Sequence, residues 1–286
     1  MIVDLVRTTT ADSLRLDGAF IAGHDLPSVP STVDALLCLP GVGGNFYASS
    51  LLERILPPVL ELGVSVLWAN TRGHDGLSMA STGTGPRKQG AAYEIVDECR
   101  YDVRAWVDFL VERGCRRVGI FGHSLGAIKA VYSQVHDPHD AVECVIAASP
   151  PRLSCAAFQQ SEQSSLFREA LASAEQSVAA GAPDDLISVR FPFPLLIRAG
   201  GYIDKYGPAE RYNILRFANR VPSRLLFTYG ERELDEGGIA FAGLPDAIGS
   251  LSPGPGQIDV SVIAGADHFY AGVQEQLAEA VATWLA

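Results

Sequence analysis

The sequence predicts an α/β domain built on a doubly wound, mostly parallel sheet of about eight strands, with helices on both faces. Three observations carry that expectation. Apolar runs of strand length recur without polar alternation, as strands covered on both faces require. Helical patterns separate them. The sharpest local signal is GIFGHSLGAI, residues 119–128, where an apolar run stops at one serine boxed between glycines and a helix-like pattern begins.

In chain order, Ile2–Arg7 and Leu14–Ile21 come first and are expected to pair as an antiparallel edge. The central strands follow as Ala35–Leu39 (ALLCL), Val64–Trp68 (VSVLW), Val118–Phe121 (VGIF), Val142–Ala148 (VECVIAA), Arg224–Thr228 (RLLFT) and Asp259–Ile263 (DVSVI). Between the first two, Ser50-Leu51-Leu52-Glu53 reads as a capping box opening a helix that Gly63 ends. Pro57-Pro58 is expected to kink or split that helix, because proline lacks the amide donor and its ring crowds the preceding turn. Cys99, Val103, Trp106 and Leu110 fall at steps of four, three and four, one apolar helix face before Gly114. The segments LGAIKAVYSQV after Ser124 and VQEQLAEAVATWLA at the end are helical as well.

Residues 150–220 break the rhythm. Ser164–Ala180 is amphipathic, with Phe167, Leu171, Ala174 and Val178 at helical spacing, and FPFPLLIRAGGYIDKYGP follows. This stretch is expected to be a helical insertion capping a pocket within a single domain over residues 1–286. The plainer reading is a further strand–helix unit with LLIRAG as its strand. Glu236–Gln257 carries nine glycines and prolines, and loops that long either border function or are disordered.

Composition excludes several function classes. The net charge of −11, from 22 basic and 33 acidic residues, argues against a surface that grips phosphate backbones, so nucleic acid is not an expected partner. Arg87-Lys88 and Arg116-Arg117 are too short to change that. Five cysteines, an odd number without a CxxC pair, fit reduced thiols in a cytosolic protein better than a disulfide framework or a zinc site. Asp4 and Arg7 interrupt the only apolar run at the N-terminus, unlike a signal peptide. No uncharged apolar stretch approaches the roughly 20 residues a membrane helix needs. A cytoplasmic protein without a membrane span is the expectation.

Gly122-His123-Ser124-Leu125-Gly126 matches G-x-S-x-G at a strand–helix junction, the context a nucleophile elbow requires. So tight a turn leaves no room for Cβ atoms two positions either side, and it presents the hydroxyl at a helix N-terminus. A serine needs a base. Of six histidines, His268 in AGADHFYAG lies past the last strand, where nucleophile–acid–base order puts the base. His24, His136 and His139 lie in polar loops; His123 neighbours the serine but is expected to diverge from it; His74 in NTRGHD reads as a loop-fixing hydrogen bonder. The acid that fixes the base's tautomer should follow the penultimate strand, in RLLFTYGERELDEG. Strand–Gly-x-x-acid spacing selects Glu233. Asp235 is the alternative, on the same side if the loop stays extended, and Glu231 lies in the same loop. Oxyanion donors are expected from the N–H of Leu125 and from the loop LPGVGGNFYAS, with Val42 as the leading candidate. That loop fails the dinucleotide pattern G-x-G-x-x-G, since Phe46 stands where the third glycine belongs.

Together these residues resemble the α/β-hydrolase superfamily over the whole chain apart from the insertion. DSLRLDGAFIAG, GGNFY and NTRGHD look like a serine esterase-type branch, some of whose members, siderophore-ester hydrolases among them, cleave carboxylic esters. Pro40 departs from the histidine many members carry before the oxyanion glycine, and glutamate is a less usual acid than aspartate. The resemblance implies hydrolysis of a small acyl substrate, a carboxylic ester first, through an acyl-enzyme on Ser124, with neither metal nor organic cofactor. The same residues serve C–C, thioester or amide cleavage or acyl transfer; a ligand-binding protein on this fold is the reading of another class. Phe158, Phe167, Phe191, Phe193, Tyr202 and Tyr206 either line an acyl pocket or form the insertion's own small core. Oligomeric state is not legible.

Overall fold

A computed structural model of the chain describes residues 2–24, 30–48 and 50–286, apart from the side chain of residue 50. In chain order the elements are β1 (Asp4–Thr9), β2 (Arg15–Ile21), β3 (Ala35–Leu39), α1 (Ser50–Glu61), β4 (Ser65–Ala69), β5 (Ser78–Thr82), β6 (Gly85–Gln89), α2 (Cys99–Glu112), β7 (Val118–His123), α3 (Leu125–His136) and β8 (Val142–Ala148). They continue with α4 (Cys155–Gln159), α5 (Ser164–Ala179), β9 (Leu186–Val189), β10 (Leu195–Arg198), α6 (Ala199–Tyr206), β11 (Arg224–Gly230), α7 (Glu231–Glu236), α8 (Leu244–Gly249), β12 (Ile258–Ile263) and α9 (Gln274–Leu285).

Eight strands form one sheet in the order β1-β2-β4-β3-β7-β8-β11-β12. The β1–β2 and β2–β4 pairs are antiparallel and the rest parallel, as the sequence predicts. The unbroken apolar strands make sense once both faces are seen. Leu37 and Leu39 of β3 join the core under α2 and α3, whereas Leu36 and Cys38 join the core under α1 and α9. Alternate side chains of one strand thus feed two separate cores. Cys99, Val103, Trp106 and Leu110 are all buried on one face of α2, and the Trp106 indole N–H donates to the Asn70 carbonyl at 2.9 Å.

Two local expectations are corrected. Helix α1 runs unbroken through Pro57 and Pro58. The carbonyls these prolines cannot pair belong to Glu53 and Arg54, both exposed residues, while Leu51, Leu52, Ile55, Leu56 and Val59 hold the opposite face in the core. The capping box expected on Ser50 lies outside the described residues. Within LLIRAG, Leu195–Arg198 does form a strand, β10, but it pairs antiparallel with β9 in a separate two-stranded unit and leaves the central sheet untouched. A hairpin of β5 and β6, absent from the sequence reading, stands apart in the same way.

One buried ionic cluster ties the segment between β8 and β11 to the sheet. Glu94 is 2% exposed and pairs with Lys129 of α3 and, at 3.6 Å, with Lys205 of α6. Both lysines are buried, and Lys129 also donates to Thr71 Oγ1 at 3.0 Å. Burial pushes the Lys205 ammonium pKa down, and burial pushes the Glu94 carboxyl up, but its two lysines outweigh that and hold it below its ordinary range. One carboxylate thus compensates two buried cations. Removing it is expected to cost far more than removing either partner. Glu94→Gln should lower unfolding free energy by about 3–5 kcal/mol, and Lys205→Met by less than about 1 kcal/mol, measured by denaturant titration; equal losses would contradict this account.

Candidate active site

The sheet changes direction at β3: the chain moves to β4 on one side and β7 on the other, and the carboxyl ends of β3 and β7 face one crevice. Ser124 is the single residue between β7 and α3, held at φ 57° and ψ −122°. That left-handed backbone costs a non-glycine residue about 1–3 kcal/mol, and packing sustains it. A Cβ on Gly122 would lie 2.2 Å from the Gly126 carbonyl oxygen, and one on Gly126 would lie 2.3 Å from that of Leu39. The two glycines let strand, helix and β3 close on one another, which forces the serine outward. Its N–H donates to the Ala148 carbonyl at 2.8 Å.

His268 lies in the loop after β12 and reaches Ser124 Oγ from Nε2 at 3.1 Å. Its Nδ1 meets Oε1 of Glu233 in a short contact. A carboxylate only accepts, so Nδ1 carries the proton and Nε2 is free to accept from the serine hydroxyl. The loops bearing His268 and Glu233 are stapled together: the Ala266 carbonyl accepts the N–H groups of Arg232 and Glu233 at 2.9 and 3.3 Å. A Cβ on Gly230 would come within 2.4 Å of that same oxygen. Asp267 Oδ1 accepts the Phe269 and Ala271 N–H groups, both at 2.9 Å, and shapes the histidine loop.

Glu233 is 3% exposed. Its Oε2 accepts from the Gly230 N–H at 3.2 Å and from Ser149 Oγ at 2.7 Å. Ser149 Oγ meets the Tyr270 hydroxyl at 2.9 Å, which meets Thr228 Oγ1 at 2.9 Å. With one proton per hydroxyl, the chain runs from Thr228 to Tyr270 to Ser149 to the carboxylate, each donor polarised by the next. Burial pushes the Tyr270 phenol pKa upward, so it stays protonated.

The structure therefore brings Ser124, His268 and Glu233 into one line and leaves Asp235 out of it. Glu231–Glu236 is helical, not extended, and turns Asp235 away, to an exposed position on the wall of the adjoining cavity. Glu231 caps the Gly265 N–H at 2.9 Å. Val42 sits at the corner of a turn closed by Gly44 N–H to Gly41 carbonyl at 3.1 Å, and the Val42 N–H has no acceptor among the described residues. Leu125 is the first residue of α3, where amides have no acceptor within the helix. A Cβ on Gly41 would lie 3.5 Å from Ser124 Oγ, so this loop passes directly beside the hydroxyl. Asp75 anchors the loop, accepting from Asn45 Nδ2 at 2.7 Å and the Tyr47 hydroxyl at 2.7 Å. The hydrogen bond to Asp75 pushes the Tyr47 phenol up to about 12. His74 also bonds Asp75, at 2.9 Å.

One participant escaped sequence reasoning. His123 does diverge from Ser124, but its Nε2 donates to the backbone carbonyl of His268 at 2.7 Å, and the two rings lie 4.9 Å apart. The partner is 145 positions away along the chain, so no local pattern announces it. Around these groups opens a cavity of 1320 Å³, walled by the glycine loop, α1, the segment between β8 and β11, and residues 235–242. Phe158, Phe191, Phe193 and Tyr206 line it. Phe158, Phe167 and Phe191 also pack edge-to-face at 5.0–5.5 Å, so Phe158 and Phe191 serve both as cavity wall and as core, whereas Phe167 and Tyr202 are buried in the core away from the cavity. Among the described residues, no group of three or more His, Cys, Asp or Glu side chains is placed to hold a metal ion, and no helix is long and apolar enough to cross a membrane.

No protein-family model matches the chain, and no curated protein matches it. Solved structures do. Est1E from Butyrivibrio proteoclasticus, solved with ferulic acid bound, is 14% identical with a TM-score of 0.64, over 97% of this chain and 96% of that one. The α/β hydrolase GrgF from Penicillium sp. sh18 is 15% identical with a TM-score of 0.66, over 98% and 97%. A soluble variant of monoglyceride lipase from Saccharomyces cerevisiae, complexed with a substrate analogue, is 13% identical with a TM-score of 0.67, over 100% and 96%.

Burial, and then the charge of His268, lowers the pKa of His123 from 6.5 to about 3. Between those values the unfolded chain binds a proton that the folded chain refuses, so this residue withdraws stability as pH falls below about 6.5. His123→Gln should remove that dependence. The wild-type unfolding free energy, relative to the variant, is expected to drop by about 1.4 kcal/mol per pH unit between pH 6 and 4; parallel curves in denaturant titrations would refute it.

Proposed function

We propose that this chain, which has the α/β-hydrolase fold, is a serine hydrolase that cleaves a carboxylic ester through an acyl-enzyme. The observation that carries this reading is the alignment of Ser124, His268 and Glu233 at the edge of a cavity large enough for substrate. The esterases and lipase among its structural neighbours point the same way.

His268 Nε2 takes the Ser124 proton as Oγ attacks the ester carbonyl carbon. Glu233 holds the ring in its tautomer and stabilises the imidazolium that forms. The tetrahedral oxyanion is met by the N–H groups of Val42 and Leu125, the second also at the positive end of α3. His268 returns its proton to the leaving alcohol. A water enters, His268 takes its proton, and attack on the acyl-enzyme frees the acid and restores Ser124. His123 acts at a remove: its bond to the His268 carbonyl fixes the loop from which the base projects. The segment over residues 150–220 serves as a cap, since Phe158, Phe191 and Tyr206 form one wall of the cavity.

A fluorophosphonate probe should label the wild type stoichiometrically and leave Ser124→Ala untouched, and that variant should lose p-nitrophenyl ester hydrolysis by about 10⁴-fold or more. Residual turnover near wild-type level would remove Ser124 from the chemistry. The two acids separate in the same assay. Glu233→Gln should lower kcat by roughly 10³–10⁴-fold, while Asp235→Asn should stay within about threefold; the reverse ranking would overturn the assignment.

A further inference from the structure

Tyr206, at the end of α6, is 3% exposed and lines the cavity. Its neighbours hold its ring: Tyr202 at 4.9 Å and Phe158 at 6.5 Å between centroids. The buried hydroxyls nearby in the fold are engaged, Tyr202 with the Phe191 carbonyl at 3.3 Å and Tyr212 with Asp204 at 2.7 Å. The Tyr206 hydroxyl has no hydrogen-bond partner among the described residues. That hydroxyl is not sealed in the core, and on the wall of a substrate cavity it is free to pair with a ligand.

The surroundings decide which ligand. Among the described residues the cavity wall carries the carboxylates of Glu162, Asp235 and Glu236 and no lysine or arginine. Burial and the nearby Glu94 charge keep the Tyr206 phenol protonated, as a donor. An anionic group on the substrate finds no counter-charge here, whereas a neutral oxygen finds a free O–H. Phe158 and Phe191, edge-to-face at 5.0 Å, offer the apolar wall that a flat ring packs against.

We propose that Tyr206 is a specificity-determining residue, whose hydroxyl donates to an uncharged oxygen carried on an aryl group of the substrate lodged against Phe158 and Phe191. The substrate class is an uncharged aryl-bearing ester with an ether, hydroxyl or carbonyl oxygen on its ring; calling it an ester rests on the reading of Ser124 as nucleophile.

The test is equilibrium binding to Ser124→Ala, so that no turnover intervenes. Methyl esters of phenylacetic, 3-phenylpropanoic and 4-phenylbutanoic acids are compared by calorimetry, each with a bare ring, a methoxy ring and a carboxylate-bearing ring. At the best-fitting length the methoxy ester should bind about fivefold to tenfold more tightly than the bare one, and the carboxylate ester more weakly than both. In Ser124→Ala/Tyr206→Phe, which keeps the aromatic wall, the methoxy preference should vanish while the bare ester's Kd stays within about twofold. Less than twofold preference at every length, or a preference that survives Tyr206→Phe, overturns the proposal. Because binding is read without catalysis, a wild-type protein that hydrolyses no ester would defeat the proposed function and leave this result standing on its own.

Discussion

Everything at the site depends on one strained residue. Ser124 occupies backbone space that side chains avoid, and it stays there because Gly122 and Gly126 let β7, α3 and the end of β3 approach to distances no Cβ would permit. Release that packing and the hydroxyl would fold back into the strand–helix junction. The same closeness brings the glycine loop beside the serine oxygen, so the geometry that exposes the proposed nucleophile also brings up the amides proposed to meet the oxyanion. Strain in one residue and freedom in two others form a single device.

The second constraint is the carbonyl of Ala266. It accepts two N–H groups from the first turn of α7 and thereby locks the loop after β11 to the loop after β12. Glu233 and His268 keep their distance because their backbones are joined, and the hydroxyl chain through Ser149, Tyr270 and Thr228 fixes the carboxylate from behind. His123 closes the ring of constraints by tying the histidine loop back to the serine strand. A site built this way relies on backbone contacts and buried polar pairs more than on the exposed side chains at the cavity mouth.

Legibility in the sequence followed how local each cause was. The elbow was readable because its strand, serine, glycines and helix are contiguous. His268 was readable because chain order places it. The choice between Glu233 and Asp235 turned on whether six residues were helical or extended. In an extended loop positions two apart share a side, and in a helix they diverge by about 200°; six residues are too few to reveal the period. The contacts of His123 and the unpaired hydroxyl of Tyr206 arise from segments brought together only by the fold. Pro57-Pro58 misled because a local rule met a helix whose apolar face was already committed to the core. Strand LLIRAG was recognisable as a strand, but its partner Leu186–Val189, short and half exposed, gave no sign that the pair would stand outside the main sheet.

The most direct measurement is intact-protein mass spectrometry after rapid acid quench with a slowly deacylating ester. The account predicts a mass increase of one acyl group, mapped by proteolysis to the peptide that contains Ser124 and decaying at the rate of product release. Turnover with no covalent adduct during the steady state, or an adduct mapped to any other residue, would contradict it.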